Sequence, residues 1–362
     1  MQKENAKNKK VFVGMSGGVD SSVSAYLLKQ AGFDVTGVFI KVWQPDFMTC
    51  SWKEDRRDAM RVASQIGIPF LTINAEEEYK KDVVDYMIEE YKAGRTPNPD
   101  VMCNNSVKFG VFYRRAMEMG ADYIATGHYA KRLEKDGDVF LGIPKDNEKD
   151  QTYFLWNIPK KSLEKTLFPL GDMEKKEVRK IAKEASLFTA EKKDSQGLCF
   201  IGKVSMKDFL SHYLKLQKGN VLDEKGNVIG EHDGALLYTN GQRHGILITK
   251  KTPQDTPYYV ISRDIKENTV TVSMEGGHEN FSDKKTSVVI EKVNLLADIS
   301  ESAEIFARVR YRQPLSRCLL EKKGKSIVVH FNTNIPVVSI GQSCVLYDNI
   351  KCIGGGIISE VL

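Results

Sequence analysis

The sequence predicts an α/β protein with an N-terminal doubly wound parallel sheet of Rossmann-like type, a small β-rich central domain and a C-terminal antiparallel β-barrel. Three observations predict it. Apolar runs alternate with helical periodicity up to about residue 130, a hairpin pattern begins near residue 213, and short β-rich segments fill the chain after residue 284. We therefore predict domains at residues 1–212, 213–283 and 284–362.

The N-terminal region alternates predicted strands and helices. An apolar run at 11–14 precedes a helix over 21–31, and a run at 35–40 precedes a helix that ends at residue 66. Strand-like runs also lie at 70–73 and 123–126, separated by two helical patterns. This order implies parallel strands with helices on both faces of the sheet.

Beyond residue 213 the pattern is typical of β-structure. Residues 220–222 and 227–229 flank a turn and predict a hairpin, and strand-like stretches recur near residues 236, 258 and 270. After residue 284, the predicted strands are 287–293, 302–309, 317–320, 327–331, 343–347 and 352–358. Such spacing favours a small antiparallel barrel or sandwich.

Composition excludes several classes of protein. Of 362 residues, 41% are hydrophobic and 28% are charged, which argues against disorder. Lysine and arginine number 53 against 48 acidic residues, and the net charge of +5 tolerates a polyanionic partner without demonstrating one. We find no apolar run near the ~18 residues of a membrane helix and no signal-peptide core, so we expect a cytoplasmic protein with no membrane partner.

The strongest local signal is a glycine-serine loop between the first predicted strand and helix. Its residues are Gly14, Met15, Ser16, Gly17, Gly18, Val19, Asp20 and Ser21. Glycines let backbone N–H groups approach phosphate oxygens, serines add donors, and the helix N-terminus adds partial positive charge. The loop lacks the lysine of GxxxxGK[ST] and the spacing of GxGxxG, so it matches neither motif. The alternative is a turn without function.

The motif SGGxDS after an N-terminal strand resembles the PP-loop of the ATP pyrophosphatase superfamily. That resemblance implies cleavage of ATP to AMP and pyrophosphate while an oxygen of the substrate is adenylated. The loop alone leaves GMP synthetase, NAD synthetase, argininosuccinate synthetase and several tRNA-modifying enzymes open.

The six cysteines are too few and too dispersed for a disulfide scaffold or a C-x-x-C zinc module. Cys103 follows two prolines and precedes a predicted helix, and Cys199 follows two lysines. A helix N-terminus or a cation can lower the pKa of a thiol, so both have a candidate activator. For the other cysteines we expect small buried hydrophobic residues: Cys50, Cys318, Cys344 and Cys352.

A second resemblance covers nearly the whole chain. Seven segments resemble successive motifs of the tRNA-specific 2-thiouridylases: TPNPDVMCNNSVKFG, ATGHYA, KDQTYFL, FPLGDMEKKEVR, KKDSQGLCFIG, YTNGQRHGI and RYRQ. This resemblance implies ATP-dependent 2-thiolation of the wobble uridine, U34, of tRNA. The C2 oxygen is adenylated, a cysteine persulfide supplies sulfur, and AMP and pyrophosphate are released.

The family resemblance also implies roles for single residues. Cys103 matches the nucleophile and Cys199 the cysteine persulfide. The glycine-serine loop and Gly127 match the ATP site, and Ile40 stands where family members commonly carry Met, which weakens the apolar contact to adenine. The residues that the resemblance implies contact the target uridine are Asn98, Pro99 and Asp100. The tRNA contacts fall on His128, Lys149, Asp150, Gln151, Arg310, Tyr311 and Gln342.

The implied residues fit the chemistry of uridine 2-thiolation. The C2 carbonyl of uridine is a poor electrophile, and ATP converts its oxygen to a good leaving group, with Mg²⁺ near Asp20 balancing charge on pyrophosphate. The persulfide delivers sulfur directly or as sulfide, and a transient Cys103–Cys199 disulfide then requires an external reductant. The implied partners are tRNA, a persulfide-donating sulfur-relay protein or cysteine desulfurase, and that reductant. Asp100 is a candidate proton carrier, with a turn-stabilising role as the alternative.

A run of arginines in the C-terminal region predicts phosphate contacts. Arg308, Arg310 and Arg312 alternate with two other residues along a predicted strand, so period-two geometry places them on one face. A solvated strand face is the alternative, and the direction of Tyr311 stays open.

Two other functions are weighed. A small-molecule ligase would explain the loop but not the cysteine pair, and a non-catalytic RNA-binding protein would leave the loop unused.

Overall fold

The computed structural model describes residues 8–48, 52–193, 204–250, 256–274, 286–299, 304–335 and 338–362. In the N-terminal region the elements are β1 (Lys10–Gly14), α1 (Val19–Gln30), β2 (Asp34–Lys41), α2 (Trp52–Ile66), β3 (Phe70–Asn74), α3 (Glu76–Tyr79), α4 (Tyr86–Lys92), α5 (Pro99–Met102), α6 (Phe112–Glu118), β4 (Tyr123–Ala125), β5 (Lys131–Lys135), β6 (Asp138–Gly142), α7 (Thr152–Leu155), α8 (Lys160–Glu164), β7 (Thr166–Leu167), α9 (Lys175–Glu184) and α10 (Met206–Ser211). No helix among these and the other described residues is long and apolar enough to cross a membrane.

The predicted doubly wound parallel sheet is confirmed. Its strand order is β3-β2-β1-β4-β7, and all four pairings are parallel. Val11 and Val13 face the core under α1, α2 and α9, whereas Phe12 faces the core under α3 to α6, because side chains alternate along a strand. Since β2 and β4 flank β1 on opposite sides, the loop after β1 lies at a topological switch point, where α/β sheets bind ligands.

Two stretches of π-helix interrupt the predicted helices. Residues Lys80–Asp85 join α3 to α4, and Cys103–Val111 join α5 to α6. A Cβ atom at Gly110 would lie 2.8 Å from the carbonyl oxygen of Asn105, five residues earlier, so the missing side chain accommodates the wider turn. π-Helical turns occur frequently at functional sites.

The central region forms a small five-stranded sheet. Its strands are β8 (Gly219–Leu222), β9 (Val228–His232), β10 (Leu247–Ile248), β11 (Tyr259–Asp264) and β12 (Thr269–Ser273), in the order β10-β9-β8-β12-β11. The predicted hairpin is confirmed. The strand predicted near residue 236 is wrong, because residues Ala235–Leu237 form one turn of 3-10 helix.

The C-terminal region is a closed antiparallel barrel, as predicted. Its strands are β13 (Ser287–Leu295), β14 (Ile305–Arg308), β15 (Ser316–Lys323), β16 (Ser326–Phe331), β17 (Ser343–Asp348) and β18 (Lys351–Val361). Neighbours pair in the order β13-β16-β15-β14-β17-β18, and β18 pairs with β13 to close the ring. The boundary predicted at residue 283 lies outside the described residues, and the one at 212 stays a prediction.

A hairpin that the sequence analysis missed joins the N-terminal region to the barrel. Strands β5 and β6 form it, and β6 pairs with β18 through Leu141 and Cys352. Asp136 and Gly137 turn the hairpin with φ values of +53° and +87°. An Asp-Gly pair between two strand-like segments is a hairpin signal, so the sequence did carry the information.

Candidate active site between the N-terminal domain and the barrel

The glycine-serine loop forms a closed turn between β1 and α1. Gly17 has a φ of +77°, and a Cβ atom there would collide with the carbonyl oxygen of Asp55, so the position requires glycine. The hydroxyl of Ser21 accepts a hydrogen bond from the backbone N–H of Ser16 at 3.2 Å. Gly18 caps α1, and the helix N-terminus points its amides into the loop. The arrangement suits an anion.

Other residues predicted for nucleotide binding surround this loop. The side chains of Met15 and Val19 are buried in the core, so only their backbone is available. Gly127 follows β4, and a Cβ atom there would lie 2.6 Å from the backbone nitrogen of Ser21, so the two segments touch. Ile40 lies half-buried near the end of β2, the strand next to β1.

Asp20 forms the charged centre of the loop. The ammonium of Lys175 lies 2.7 Å from each oxygen of the Asp20 carboxylate, and the hydroxyl of Tyr129 donates to it at 3.0 Å. Lys175 is the first residue of α9, and its side chain is only 15% exposed. Sequence reasoning missed both partners, although each lies inside a segment noted for its family resemblance. Among the described residues there is no cluster of three metal-ligating side chains.

The segment predicted to meet the target base is held from two sides. Asn98 is buried and caps α5 by accepting a hydrogen bond from the backbone N–H of Val101. From the barrel, the amide nitrogen of Gln342 donates to the carbonyl oxygens of Thr96 and Pro97 at 3.2 and 2.9 Å. The predicted tRNA contact of Gln342 stays a prediction, and its amide nitrogen already holds this loop.

Arg263, from β11 of the central sheet, holds the other end of the loop. Its guanidinium donates to the carbonyl oxygen of Gly94 at 2.9 Å and to the hydroxyl of Thr96 at 3.1 Å. This residue was missed, because no local sequence pattern marks a partner 167 positions away.

A pocket of about 310 Å³ opens where the three regions meet. It is lined by residues 96–100, Tyr153, Phe154, Thr239, Arg310, Tyr311 and Gln342. The rings of Phe154 and Tyr311 lie 4.7 Å apart between centroids, and the guanidinium of Arg310 donates to the carbonyl oxygen of Asn240. Aromatic faces beside polar groups are the means by which proteins hold unstacked nucleobases. The pocket thus brings together six of the residues predicted to bind base or tRNA.

The predicted arginine face is wrong. Strand β14 ends at Arg308, and Arg312 has a φ of +64°, so the three guanidinium groups do not share a face. The side-chain amide oxygen of Gln313 accepts from the backbone N–H groups of Val309 and Arg310, at 2.9 and 3.1 Å. These donors are therefore satisfied within a turn, and the strand ends.

Asp150 lies in a buried ion pair, and its predicted tRNA contact stays a prediction. Asp150 is 3% exposed, and its carboxylate accepts hydrogen bonds from the guanidinium of Arg308 and the hydroxyl of Thr152. Arg308 also donates to the hydroxyl of Tyr347 at 2.9 Å. The ion pair joins the N-terminal region to the barrel across the protein interior. Lys149, next to it, is half-buried, and Gln151 accepts a hydrogen bond from the backbone N–H of Tyr129.

Replacing Asp150 by alanine should therefore destabilise the protein by about 3–5 kcal/mol, because Arg308 would remain buried without its partner. Urea unfolding of the single variant measures this. The double variant Asp150→Leu/Arg308→Met removes both charges and should recover most of the loss. If Asp150→Ala unfolds like the wild type but loses affinity for tRNA, the residue binds RNA and does not stabilise the domain junction.

The predicted nucleophile follows the pocket-lining residues 96–100 in the chain. Cys103 follows α5, begins the π-helical stretch and is 6% exposed. Burial raises the pKa of the Asp100 carboxyl, and the charge of Lys108 opposes that shift. Cys199 and Cys50 lie outside the described residues. The remaining cysteines are buried as expected, and burial raises the pKa of the thiols of Cys318, Cys344 and Cys352.

Comparisons with known proteins cover nearly the whole chain. Three family models match: a tRNA methyl transferase HUP domain over residues 9–203, a tRNA methyl transferase PRC-barrel domain over 207–274, and an aminomethyltransferase beta-barrel domain over 285–358. The tRNA-specific 2-thiouridylase MnmA of Streptococcus sanguinis strain SK36 is 46% identical over 357 residues, which are 97% of this chain and 95% of that one. The tRNA-specific 2-thiouridylase MnmA of Streptococcus uberis is 47% identical over 355 residues, or 96% and 95% of the two chains. A solved 4-thiouridine synthetase–RNA complex with bound ATP superposes only loosely, with a TM-score of 0.35 and 21% identity over 56% of this chain and 50% of that chain.

Proposed function

Because the chain belongs to the family of tRNA-specific 2-thiouridylases, we propose that it is a tRNA-uridine 2-sulfurtransferase that replaces the C2 oxygen of U34 by sulfur at the expense of ATP. One observation supports this most strongly. A pocket with aromatic walls is lined by residues 96–100, which end three positions before Cys103, and His128 and Tyr129 hydrogen-bond to Lys108 and to Asp20 of the phosphate loop.

The phosphate loop is proposed to bind ATP. Gly17 and Gly127 let the loop pack closely against the backbone of Asp55 and Ser21, and the start of α1 directs N–H groups into the loop. Lys175 supplies a cation for the phosphates. Mg²⁺ is proposed to accompany ATP, with Asp20 as its carboxylate ligand, since Mg²⁺ is commonly held by one or two carboxylates and the nucleotide phosphates. Bound there, the metal would balance charge on pyrophosphate.

The pocket is proposed to hold the uracil base of U34 outside the anticodon stack. Tyr311 and Phe154 offer aromatic faces, and Asn98 and Asp100 offer polar groups at the edge. Removing a base from the stack costs a few kcal/mol, which stacking on aromatic side chains offsets. Lys149 and Arg310 are proposed to bind the tRNA backbone around it.

Cys103 is proposed as the nucleophile that completes sulfur transfer, and Cys199 as the residue that carries the persulfide. The external persulfide donor and the reductant that reopens the Cys103–Cys199 disulfide are part of the same proposal.

The names of the family models suggest methyl transfer as a second possibility. A methyltransferase needs neither a loop that binds triphosphate nor a cysteine pair, so the glycine-serine loop favours adenylation. Mass spectrometry of the modified nucleoside separates the two reactions, because thiolation exchanges oxygen for sulfur and methylation adds a methyl group.

Replacing Arg310 by alanine should weaken tRNA binding and raise KM for tRNA without changing KM for ATP, because Arg310 lies in the base pocket and not at the phosphate loop. If its guanidinium also meets a phosphate, the log-log salt slope of binding should flatten by roughly 0.7 to 0.9. Filter binding over a range of salt concentrations measures this. Arg317, which pairs with Glu304 on the outside of the barrel, is the matched control. An unchanged tRNA affinity and salt slope in Arg310→Ala would assign this arginine to packing against Asn240.

A further inference from the structure

Thr96, at the start of the target-base segment, is held by the side chains of the central region. It is 5% exposed and lines the base pocket. Its hydroxyl accepts a hydrogen bond from the guanidinium of Arg263 at 3.1 Å and lies 3.3 Å from the hydroxyl of Thr239. A hydroxyl has one proton and two acceptor positions, so Thr96 can accept from Arg263 and donate to Thr239 at the same time.

The C-terminal region holds the backbone of the same residue. The N–H of Thr96 donates to the carbonyl oxygen of Ile340 at 2.9 Å, and its carbonyl oxygen accepts from the side-chain amide of Gln342 at 3.2 Å. A Cβ atom at Gly341 would lie 2.7 Å from that carbonyl oxygen, so the glycine allows this close approach. Every polar group of Thr96 is therefore bonded to a residue of another region of the protein.

The position of Thr96 determines where the polar edge of the base pocket lies. Pro97 and Pro99 each fix their own φ, and a proline also restricts the residue before it, so the backbone between Thr96 and Pro99 has little freedom. Asn98 is 8% exposed and caps α5 within this stretch, and Asp100 lies in the first turn of the same helix. A displacement of Thr96 would therefore carry Asn98 and Asp100 with it.

We propose that Thr96 is a positioning residue through which the central region sets the geometry of the base pocket. The inference rests on the proposed function. The hydroxyl of Thr96 acts on the protein and not on the substrate, because it fixes the loop that presents Asn98 and Asp100 to the uracil ring. A misplacement of about 1 Å can cost on the order of 10²-fold in rate, so the loss of this one bond should be measurable in turnover.

The test is a pair of substitutions at Thr96, assayed by tRNA-dependent pyrophosphate release. Thr96→Val keeps the shape of the side chain and removes the hydroxyl, so kcat should fall by at least about tenfold. KM for ATP should stay unchanged, because ATP is proposed to bind at the phosphate loop and not at the base pocket. Thr96→Ser restores the hydroxyl and its two bonds, so its kcat should stay within about threefold of the wild-type value.

Thr166→Val is the matched control. Thr166 is fully buried in β7, and its hydroxyl donates to the carbonyl oxygen of Ser162 at 2.6 Å, so this variant also loses a buried hydroxyl and its bond. At a temperature where urea unfolding shows both valine variants to be folded, only Thr96→Val should lose kcat.

Arg263→Met removes the same bond from the side of the central region. Its kcat should also fall, with KM for ATP unchanged. The double variant Thr96→Val/Arg263→Met should lose no more than Arg263→Met alone, because the bond between the two side chains is already absent in each single variant.

A wild-type kcat in Thr96→Val, or an equal loss of kcat in Thr166→Val, overturns the inference. A rise in KM for ATP that parallels the fall in kcat overturns it as well. If Thr96→Val unfolds below the assay temperature, Arg263→Met decides, and a wild-type kcat in that variant overturns the inference. Wild-type protein that releases no pyrophosphate with tRNA contradicts the proposed function itself. Wild-type release with unchanged turnover in both variants contradicts only the role of Thr96.

Discussion

Replacing Cys103 by serine should abolish formation of 2-thiouridine while tRNA-dependent pyrophosphate release stays within a few-fold of the wild type. The reason is that adenylation uses the phosphate loop and sulfur transfer uses the thiol. A hydroxyl at the start of the π-helical stretch preserves size but cannot form or attack a disulfide. Pyrophosphate release and nucleoside mass spectrometry, run on the same reactions, measure the two steps separately.

Cys318→Ser is the matched control for this substitution. Cys318 is as buried as Cys103, and its Sγ lies 3.7 Å from the carbonyl oxygen of Ile305, a bond that a serine hydroxyl can also donate. This variant should thiolate normally.

Non-reducing peptide mapping of the wild-type protein after one turnover without reductant should find a Cys103–Cys199 disulfide. Normal thiolation by Cys103→Ser, or a disulfide that uses Cys50 instead, would show that the nucleophile is misassigned.

Replacing Lys175 by methionine should reduce pyrophosphate release by roughly 10²- to 10³-fold while tRNA affinity is unchanged, the loss typical of one preorganised donor to developing charge. The ammonium lies against Asp20 at the phosphate loop and is largely screened from water, and Lys175 is not among the residues that line the base pocket. Initial rates with labelled ATP measure the effect.

Lys176 provides an adjacent control. Its side chain is 81% exposed and pairs with Glu174, so Lys176→Met should keep the wild-type rate. Full pyrophosphate release by Lys175→Met would show that this lysine does not belong to the ATP site. A loss of tRNA affinity without a loss of pyrophosphate release would show the same.

The phosphate loop and its sheet could be predicted because their signals are local. Gly17 allows the positive φ of the turn after β1, and the predicted apolar run at 11–14 forms β1, with Val11 and Val13 on one face and Phe12 on the other. The family resemblance assigned Asn98 to the target base and Tyr311 to a tRNA contact, and the fold brings both to the same pocket.

The turn in the arginine segment and the ion pair of Asp150 were not predicted, for two different reasons. Period-two geometry presumes that the strand continues, whereas Gln313 takes the N–H groups that would extend β14. The pairing of Arg308 with Asp150 spans 158 positions. A sequence does not show which carboxylates are buried in an ion pair, and here the fold does.

The most direct test of the proposed function is one reaction with three readouts. The purified protein is incubated with ATP, Mg²⁺, a reductant and inorganic sulfide, together with a tRNA transcript carrying uridine at position 34 or a matched transcript carrying cytidine. We predict 2-thiouridine at position 34 only in the first transcript, with one AMP and one pyrophosphate formed per sulfur incorporated. Pyrophosphate release that needs no tRNA, or a nucleoside that gains a methyl group and no sulfur, would contradict the account.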